Sequence, residues 1–517
     1  MRLRILFVLL SLWTGALVNP GNLGTVDTVR RLQAARWIRL GQPPVRPDDP
    51  GGGVAGRNGV RHPPYGIGQS LVLLPFDALA SAAIGPQLRR SALDATRQAQ
   101  VIELAVAFLM QSFLTACLLM LAYEVLRSFG FSCWIGAAGA VALLFSTTVL
   151  QYVQSAQENL LLLTLALLAL WAVRLYLKEV RVGWAAVAGL ACSLAVLTRL
   201  PSVFETSVLA GYALVSSTQR KRFLAGFVPP VAAALLFDRW YQYYRFGEVF
   251  STYAGIVERQ FRPPGAPEKF LFSYPFWKGF LGALFSADKS ILLFDPLLAA
   301  VIVLLAWNWR NLPRELKAVL AWLGLLLAMY LAFYAKYYDF GGDVAWADRL
   351  VLLPVQLSCL FTIPLLLASP RSLPGWGRRA LWAVVLCATI LQAASTVIAP
   401  NPEVMQRDLG YTHGAIWNRV VNLTQIARDR EEPARFQGIP IEWRTLYYFP
   451  FQLRFRFPSL ARWAMAGWLA LLAYLPLVIL GIMREGRRLD RQSKPDSVPP
   501  ALRPRHGSNP GGTYPQT

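Results

Sequence analysis

Continuous apolar runs of roughly 20 residues recur along most of this chain, and their length is its strongest constraint. A run of that length crosses the hydrocarbon core of a bilayer once as an α-helix, which satisfies its own backbone hydrogen bonds where no water can. A membrane β-barrel is excluded, because its strands alternate over about 10 residues and these runs do not. The windows predict about twelve spans, near 3–19, 101–126, 133–151, 159–177, 183–199, 202–217, 223–239, 289–307, 317–335, 349–368, 378–398 and 461–483. An apolar share of 55% over 517 residues agrees with that reading. The expected fold is an all-α polytopic membrane protein whose transmembrane domain covers 1–483. A tail from 484 to 517, with its Pro, Ser and Gly, reads as disordered and cytoplasmic.

Charge supplies the sidedness. Lys and Arg number 51 against 29 Asp and Glu, a net charge of +22. Basic loops between spans explain this balance better than a nucleic-acid partner does. With the N-terminus inside, each short cytoplasmic connection carries cations: Lys178 and Arg181, Arg220 to Arg222, Arg310 and Arg314, Arg371, then Arg484 onward. The first span reads as a retained signal anchor, and both termini are expected in the cytoplasm. The run Ile67 to Ile84 is long enough to span, but counting it would invert every later loop. It is therefore expected to lie on the outer surface or dip partway, as a segment broken by its prolines. The five cysteines lie in or beside apolar segments and the three histidines are scattered, so neither a disulfide framework nor a zinc site is expected.

This topology leaves three long outer loops, about 20–100, 240–288 and 400–460, long enough to fold against one another. Charged residues at the outer ends of spans are the functional candidates, because an ionisable group near lipid is costly to keep. They are Asp27, Glu158, Arg199, Lys289, Asp343, Asp348 and Arg349. Each has a plain local explanation. Asp27 can cap the helix that follows it, Glu158 can sit favourably in a first helical turn, and Arg349 can pair with Asp348. Together they suit a phosphate-bearing lipid held at the membrane surface. Arginine forks and a lysine neutralise the phosphate, while a carboxylate takes the proton of an incoming acceptor. Arg57, Arg199, Lys289 and Arg349 are the candidate phosphate cations; Tyr65 and Trp346 are candidate acceptor or loop residues.

Several stretches carry a resemblance to a known family. They are Val26-Asp27-Thr28-Val29-Arg30-Arg31 in the first outer loop, Pro63-Pro64-Tyr65-Gly66 leading into a Pro-containing apolar run, and Glu158 ahead of another span. Tyr244-Arg245-Phe246-Gly247, Gly282 to Leu292 and Gly341 to Arg349 add later loop segments. In order and sidedness these resemble the GT-C superfamily of membrane glycosyltransferases, in particular its protein mannosyltransferase and aminoarabinose transferase branch. The resemblance covers roughly residues 1–370, and the span layout extends it to about 483. It implies a polyprenyl-phosphate sugar donor, a glycan, lipid or protein acceptor, and an inverting transfer on the outer face, with Asp27 as base and Glu158 as second acid. Thr28 stands where the branch often has a second acid, and Arg31 where an aromatic is common. A divalent cation serves some branches and not others, so no cofactor is assigned.

Two rival readings come from other classes. A transporter or flippase for lipid-linked glycans predicts internal repeats and mid-span charges, whereas mid-span charges such as Glu103 and Glu205 are few. A non-catalytic assembly factor predicts that Asp27 is dispensable. Asn422-Leu423-Thr424 forms a glycosylation sequon, and the aromatic stretch from Tyr447 reads as an interfacial anchor.

Overall fold

The computed structural model describes residues 1–492 apart from 50, 268, 343–344, 369–372, 400–401, 404–405, 407–408, 411–412, 429–433, 437–438, 442–445 and 457. Almost all of it is helix: α1 (Arg2–Val18), α2 (Val26–Leu40), α3 (Gly68–Arg89), α4 (Ala95–Ser128), α5 (Cys133–Phe145), α6 (Val149–Ser155), α7 (Glu158–Glu179), α8 (Val182–Thr198), α9 (Val203–Ser216) and α10 (Arg220–Phe246). There follow α11 (Tyr253–Phe261), α12 (Phe276–Phe285), α13 (Ile291–Phe294), α14 (Pro296–Asn308), α15 (Arg314–Tyr334), α16 (Leu352–Cys359), α17 (Thr362–Ala368), α18 (Gly375–Val397), α19 (Ala415–Arg428), α20 (Phe449–Arg456) and α21 (Pro458–Gln492).

Seven of these helices are long and apolar enough to cross a membrane, and eight if the bent pair α5–α6 counts as one span. The protein is thus an all-α, multi-pass membrane protein in class. Several expected spans emerge as shorter pieces for local reasons. Asp295-Pro296 separates α13 from α14 inside the expected 289–307 span, whereas Pro201, in the 3-10 turn Leu200–Ser202, falls at the expected boundary between the 183–199 and 202–217 spans. The Ile67–Ile84 run goes the other way. It forms one continuous helix with Pro75 and Pro86 inside it, so the expected break is absent, and α3 passes the same length and composition test as the spans.

The bundle has two distinct ends. At one, Arg174 Nη1 donates to Tyr212 Oη at 3.2 Å, Lys178 Nζ to the Ser128 carbonyl at 3.0 Å and Tyr176 Oη to the Gln219 carbonyl at 2.6 Å. Arg174 also pairs with Glu315. The Asp490 carboxylate accepts from the first amides of α5, Cys133 N at 2.5 Å and Trp134 N at 3.1 Å, where the helix dipole favours an anion. The connections at 127–132, 178–182, 218–222 and 308–316 and the segment from 484 therefore lie at one end of the bundle. The same contact shows that residues 484–492, expected in a disordered tail, instead extend α21.

At the other end the long loops do fold against one another. A two-stranded hairpin, β1 (Val54–Ala55) with β2 (Arg61–His62), is held to α11 by Gln260, which exchanges hydrogen bonds with Ala55 N and O at 2.8 Å each. Helix α3 also lies toward this end. Its Phe76 ring meets Phe113 of α4 at 5.6 Å, about 22 Å along the α4 axis from the basic face. A buried ionic cluster fastens α2 there: Arg36 Nε reaches Asp77 Oδ1 of α3 at 3.1 Å and Arg36 Nη1 reaches Glu103 of α4 at 3.3 Å. Arg39 and Arg46 add further pairs to the same two acids. Glu103, counted from the sequence as a mid-span charge, belongs to this cluster. Asn422 of the sequon is fully buried and bonded to Glu403 and Gln406, so it is no modification site in this fold.

Candidate functional site

Helix α2 brings Asp27 to the end of the bundle where the long loops gather. Thr25, not Asp27, is its N-cap: Thr25 Oγ1 accepts from Thr28 N at 3.3 Å. Asp27 lies in the first turn of α2. Thr28 is buried and donates to the Ala156 carbonyl at 3.1 Å, which Gln69 Nε2 also reaches at 3.1 Å. This side chain thus fastens α2 to the turn ahead of Glu158.

One hydrogen bond and one ion pair define the carboxylate's surroundings. Tyr65 Oη donates to Asp27 Oδ1 at 2.5 Å, and Arg349 Nη1 stands 3.6 Å from Asp27 Oδ2. Arg349 therefore pairs with Asp27 and not with its neighbour Asp348. Burial, then the Asp27 charge, pushes the Tyr65 phenol up to about 12, so it stays a donor at neutral pH. Arg245, fully buried at the end of α10, places Tyr65 by gripping the carbonyls of Pro63 at 2.9 Å and Tyr65 at 3.0 Å. Gly66 allows the close pass that follows, since a Cβ there would fall 2.2 Å from the Leu197 carbonyl.

Glu158 opens α7 and is not a free acid. Arg31 Nη1 donates to Glu158 Oε2 at 2.7 Å, with the two side chains 5% and 10% exposed. The Arg31 guanidinium also lies over the Tyr65 ring at 4.5 Å. Arg31 is the residue the sequence reading missed. It appeared only as a departure from a family pattern, although its spacing of four from Asp27 puts both on one helical face. Asn159, next to Glu158, donates to the Arg349 carbonyl at 2.9 Å and ties the 345–349 loop to α7. Arg199 caps the end of α8 with its guanidinium over Tyr334 at 5.3 Å.

Asp27, Arg31, Tyr65, Glu158, Arg199 and Arg349 line one cavity of about 530 Å³, completed by Phe204, Leu271, Phe272, Phe333 and Tyr334 among others. Three arginines against two carboxylates leave this cavity one positive charge in excess. A second cavity of about 490 Å³ shares only Asp27 and Arg349 with the first and includes Arg30, Gln151, Gln157, Trp346 and Tyr447. The two chambers meet at the Asp27–Arg349 pair.

Other expected site residues stand apart. Arg57 is exposed and sits over the Tyr243 ring at 5.3 Å, lining neither chamber. Lys289 is buried and donates to the carbonyls of Ala345 at 2.7 Å and Ala347 at 3.3 Å, so it shapes the loop that presents Arg349. Asp348 is fully buried and burial pushes its carboxyl up to about 8, with Lys289 opposing. Trp346 lines the second chamber and packs against Phe294 at 4.9 Å. Tyr447, expected as a membrane anchor, instead lines that chamber and donates to Asn22 Oδ1 at 3.0 Å. Asp343 lies outside the described residues.

Among the described residues, no group of three His, Cys, Asp or Glu could hold a metal ion. Glu158 is engaged by Arg31 and Asp27 by Tyr65 and Arg349, so the two acids do not fit a divalent cation in this arrangement. Compared with protein-family models, with characterised proteins and with solved structures, the chain matches none.

Proposed function

We propose that this protein is a membrane glycosyltransferase of GT-C-like, twelve-span layout, with its site on the outer face and both termini in the cytoplasm. It takes a sugar from a polyprenyl-phosphate donor and passes it, with inversion, to an acceptor. The observation that carries the reading is the makeup of the first chamber. One excess positive charge, from Arg31, Arg199 and Arg349 set against Asp27 and Glu158, meets walls of aromatic and aliphatic side chains. A phosphodiester-linked lipid offers the complementary pattern: one negative charge on an apolar tail. Arginine suits it because the guanidinium fork binds phosphate oxygens in pairs.

The step balances with the residues present. The acceptor hydroxyl gives its proton to the Asp27 carboxylate as its oxygen attacks the anomeric carbon. The bond from that carbon to the phosphate oxygen breaks with its electron pair. The polyprenyl phosphate leaves with the added charge facing Arg349. Tyr65 holds the Asp27 carboxylate in place, so its second oxygen, on the Arg349 side, faces the boundary between the chambers.

The test is a deletion strain complemented with wild type or Asp27→Asn, read by analysis of its envelope glycans. Loss of one glycan, restored by wild type and not by Asp27→Asn, supports the enzyme. Full restoration by Asp27→Asn points to an assembly factor.

A further inference from the structure

We infer that the second chamber receives the acceptor, and that this acceptor is a neutral, polyhydroxylated molecule: a carbohydrate offering one hydroxyl to Asp27. The assignment as acceptor rests on the glycosyltransferase reading, whereas the binding chemistry stands on the chamber itself.

The argument starts from unmet hydrogen-bonding capacity. Gln151 Oε1, Ser155 Oγ, Gln157 Oε1 and Trp346 Nε1 have no hydrogen-bond partner, and the residues that carry them are 4%, 8%, 6% and 3% exposed. All four residues line this chamber. Buried polar atoms are nearly always paired in folded proteins, so four unpaired ones around one cavity call for a ligand.

Charge narrows the ligand class. The charged lining residues are Asp27, Arg30 and Arg349. The Arg30 fork is closed on Asp49 through contacts of 2.7 and 3.0 Å, and Arg349 faces Asp27. A phosphate or an amine entering here meets no uncompensated partner, in contrast to the first chamber. What remains is a set of neutral amides, a hydroxyl and an indole N–H beside the rings of Tyr152, Trp346 and Tyr447. Neutral donors and acceptors at fixed positions, next to aromatic surface, match a sugar's hydroxyls and its C–H faces. A volume of about 490 Å³ lies within the usual range of small-molecule sites.

The test uses the full-length protein in lipid nanodiscs with three probes, each titrated alone. These are a panel of neutral trisaccharides of differing configuration, a Ser/Thr-containing peptide, and polyprenyl phosphate. A neutral trisaccharide should bind, and Gln157→Leu should weaken it about tenfold, the loss of one well-placed hydrogen bond. Polyprenyl-phosphate binding should hold in Gln157→Leu, which also reports that the variant is folded; Ser155→Ala supplies a milder second variant. Trisaccharide binding insensitive to both variants overturns the proposal. So does a peptide that binds in place of every trisaccharide with the same sensitivity. If polyprenyl phosphate binds and no trisaccharide does, this inference fails while the first-chamber reading stands. If only the trisaccharide binds with the expected sensitivity, the donor reading fails and this one stands.

Discussion

Arg31 and Glu158 form a buried ion pair at 2.7 Å that joins α2 to the first turn of α7 and borders the first chamber. Removing one member leaves the other charge buried and uncompensated, a change that typically costs about 3–5 kcal/mol, whereas removing both together is often close to neutral. Glu158→Gln should therefore lower the thermal stability of the detergent-solubilised protein sharply. The double variant Arg31→Met, Glu158→Gln should recover most of it. Activity separates the roles: if Arg31 also contacts the donor phosphate, the stable double variant stays impaired in donor binding. Equal stability of the two variants would show that the pair is not coupled.

Tyr65 and Asp27 predict a graded loss. Asp27→Asn removes the base and should reduce transfer about 100-fold or more, with little effect on donor binding. Tyr65→Phe keeps the base but frees its position, so a smaller loss, about tenfold, is expected. Single-turnover transfer from a polyprenyl-linked sugar reads both. A larger loss from Tyr65→Phe than from Asp27→Asn would reverse the assignment of roles.

Arg199 tests the proposal that the first chamber takes the donor. Its guanidinium is planar and lies over Tyr334, a geometry a lysine ammonium does not reproduce. Arg199→Lys should raise the KM for donor about tenfold while leaving kcat near wild type. The result to look for against this is an unchanged KM with reduced kcat.

The residues legible in the sequence were those whose cost is local. Asp27, Glu158, Arg199 and Arg349 stood out because charge beside a long apolar run is expensive wherever the chain then goes, and all four line one cavity. Lys289 satisfied the same criterion and fails on orientation alone: its ammonium points at loop carbonyls. Arg57 sits in an exposed turn whose direction depends on the hairpin and α11, contacts far apart in the chain. Arg31 and Arg245 were hidden for the opposite reason. Each looks like an ordinary basic residue on a polar helix end, and only packing brings Arg31 to Glu158 and Arg245 to the Tyr65 loop. The span count suffered similarly: Asp295-Pro296 divides the expected 289–307 span, whereas Pro75 and Pro86 leave α3 whole.

His62 predicts acid sensitivity at the end of the bundle where the long loops gather. It is buried among Trp37, Tyr244 and Phe246, and burial, then the Arg245 charge, pushes it from 6.5 down to about 4. The unfolded chain binds a proton through pH 6.5, whereas the folded one resists until about 4. Stability from this group is therefore complete above 6.5 and is lost as pH falls from 6.5 toward 4. A thermal-unfolding series across that window should slope for wild type and flatten for His62→Phe. Parallel curves for the two proteins would remove His62 as the cause.

Strain at Ala156 gives the last prediction. This residue is 1% exposed, holds φ at 52° between α6 and α7, and offers its carbonyl to both Thr28 and Gln69 just ahead of Glu158. A left-handed conformation costs an L-residue about 1–2 kcal/mol and costs glycine nothing. Ala156→Gly should therefore raise stability by about 1 kcal/mol or leave it level, since the more flexible unfolded chain offsets part of the gain. Ala156→Val should do the reverse: a β-branched side chain is strongly disfavoured at positive φ and has no free space at a buried turn. Its expected loss is at least about 2 kcal/mol, together with weaker polyprenyl-phosphate binding as Glu158 and Arg31 shift. Thermal unfolding and donor titration on the two variants decide the matter, and a valine that matches wild type in both would mean the turn relaxes without moving the pair.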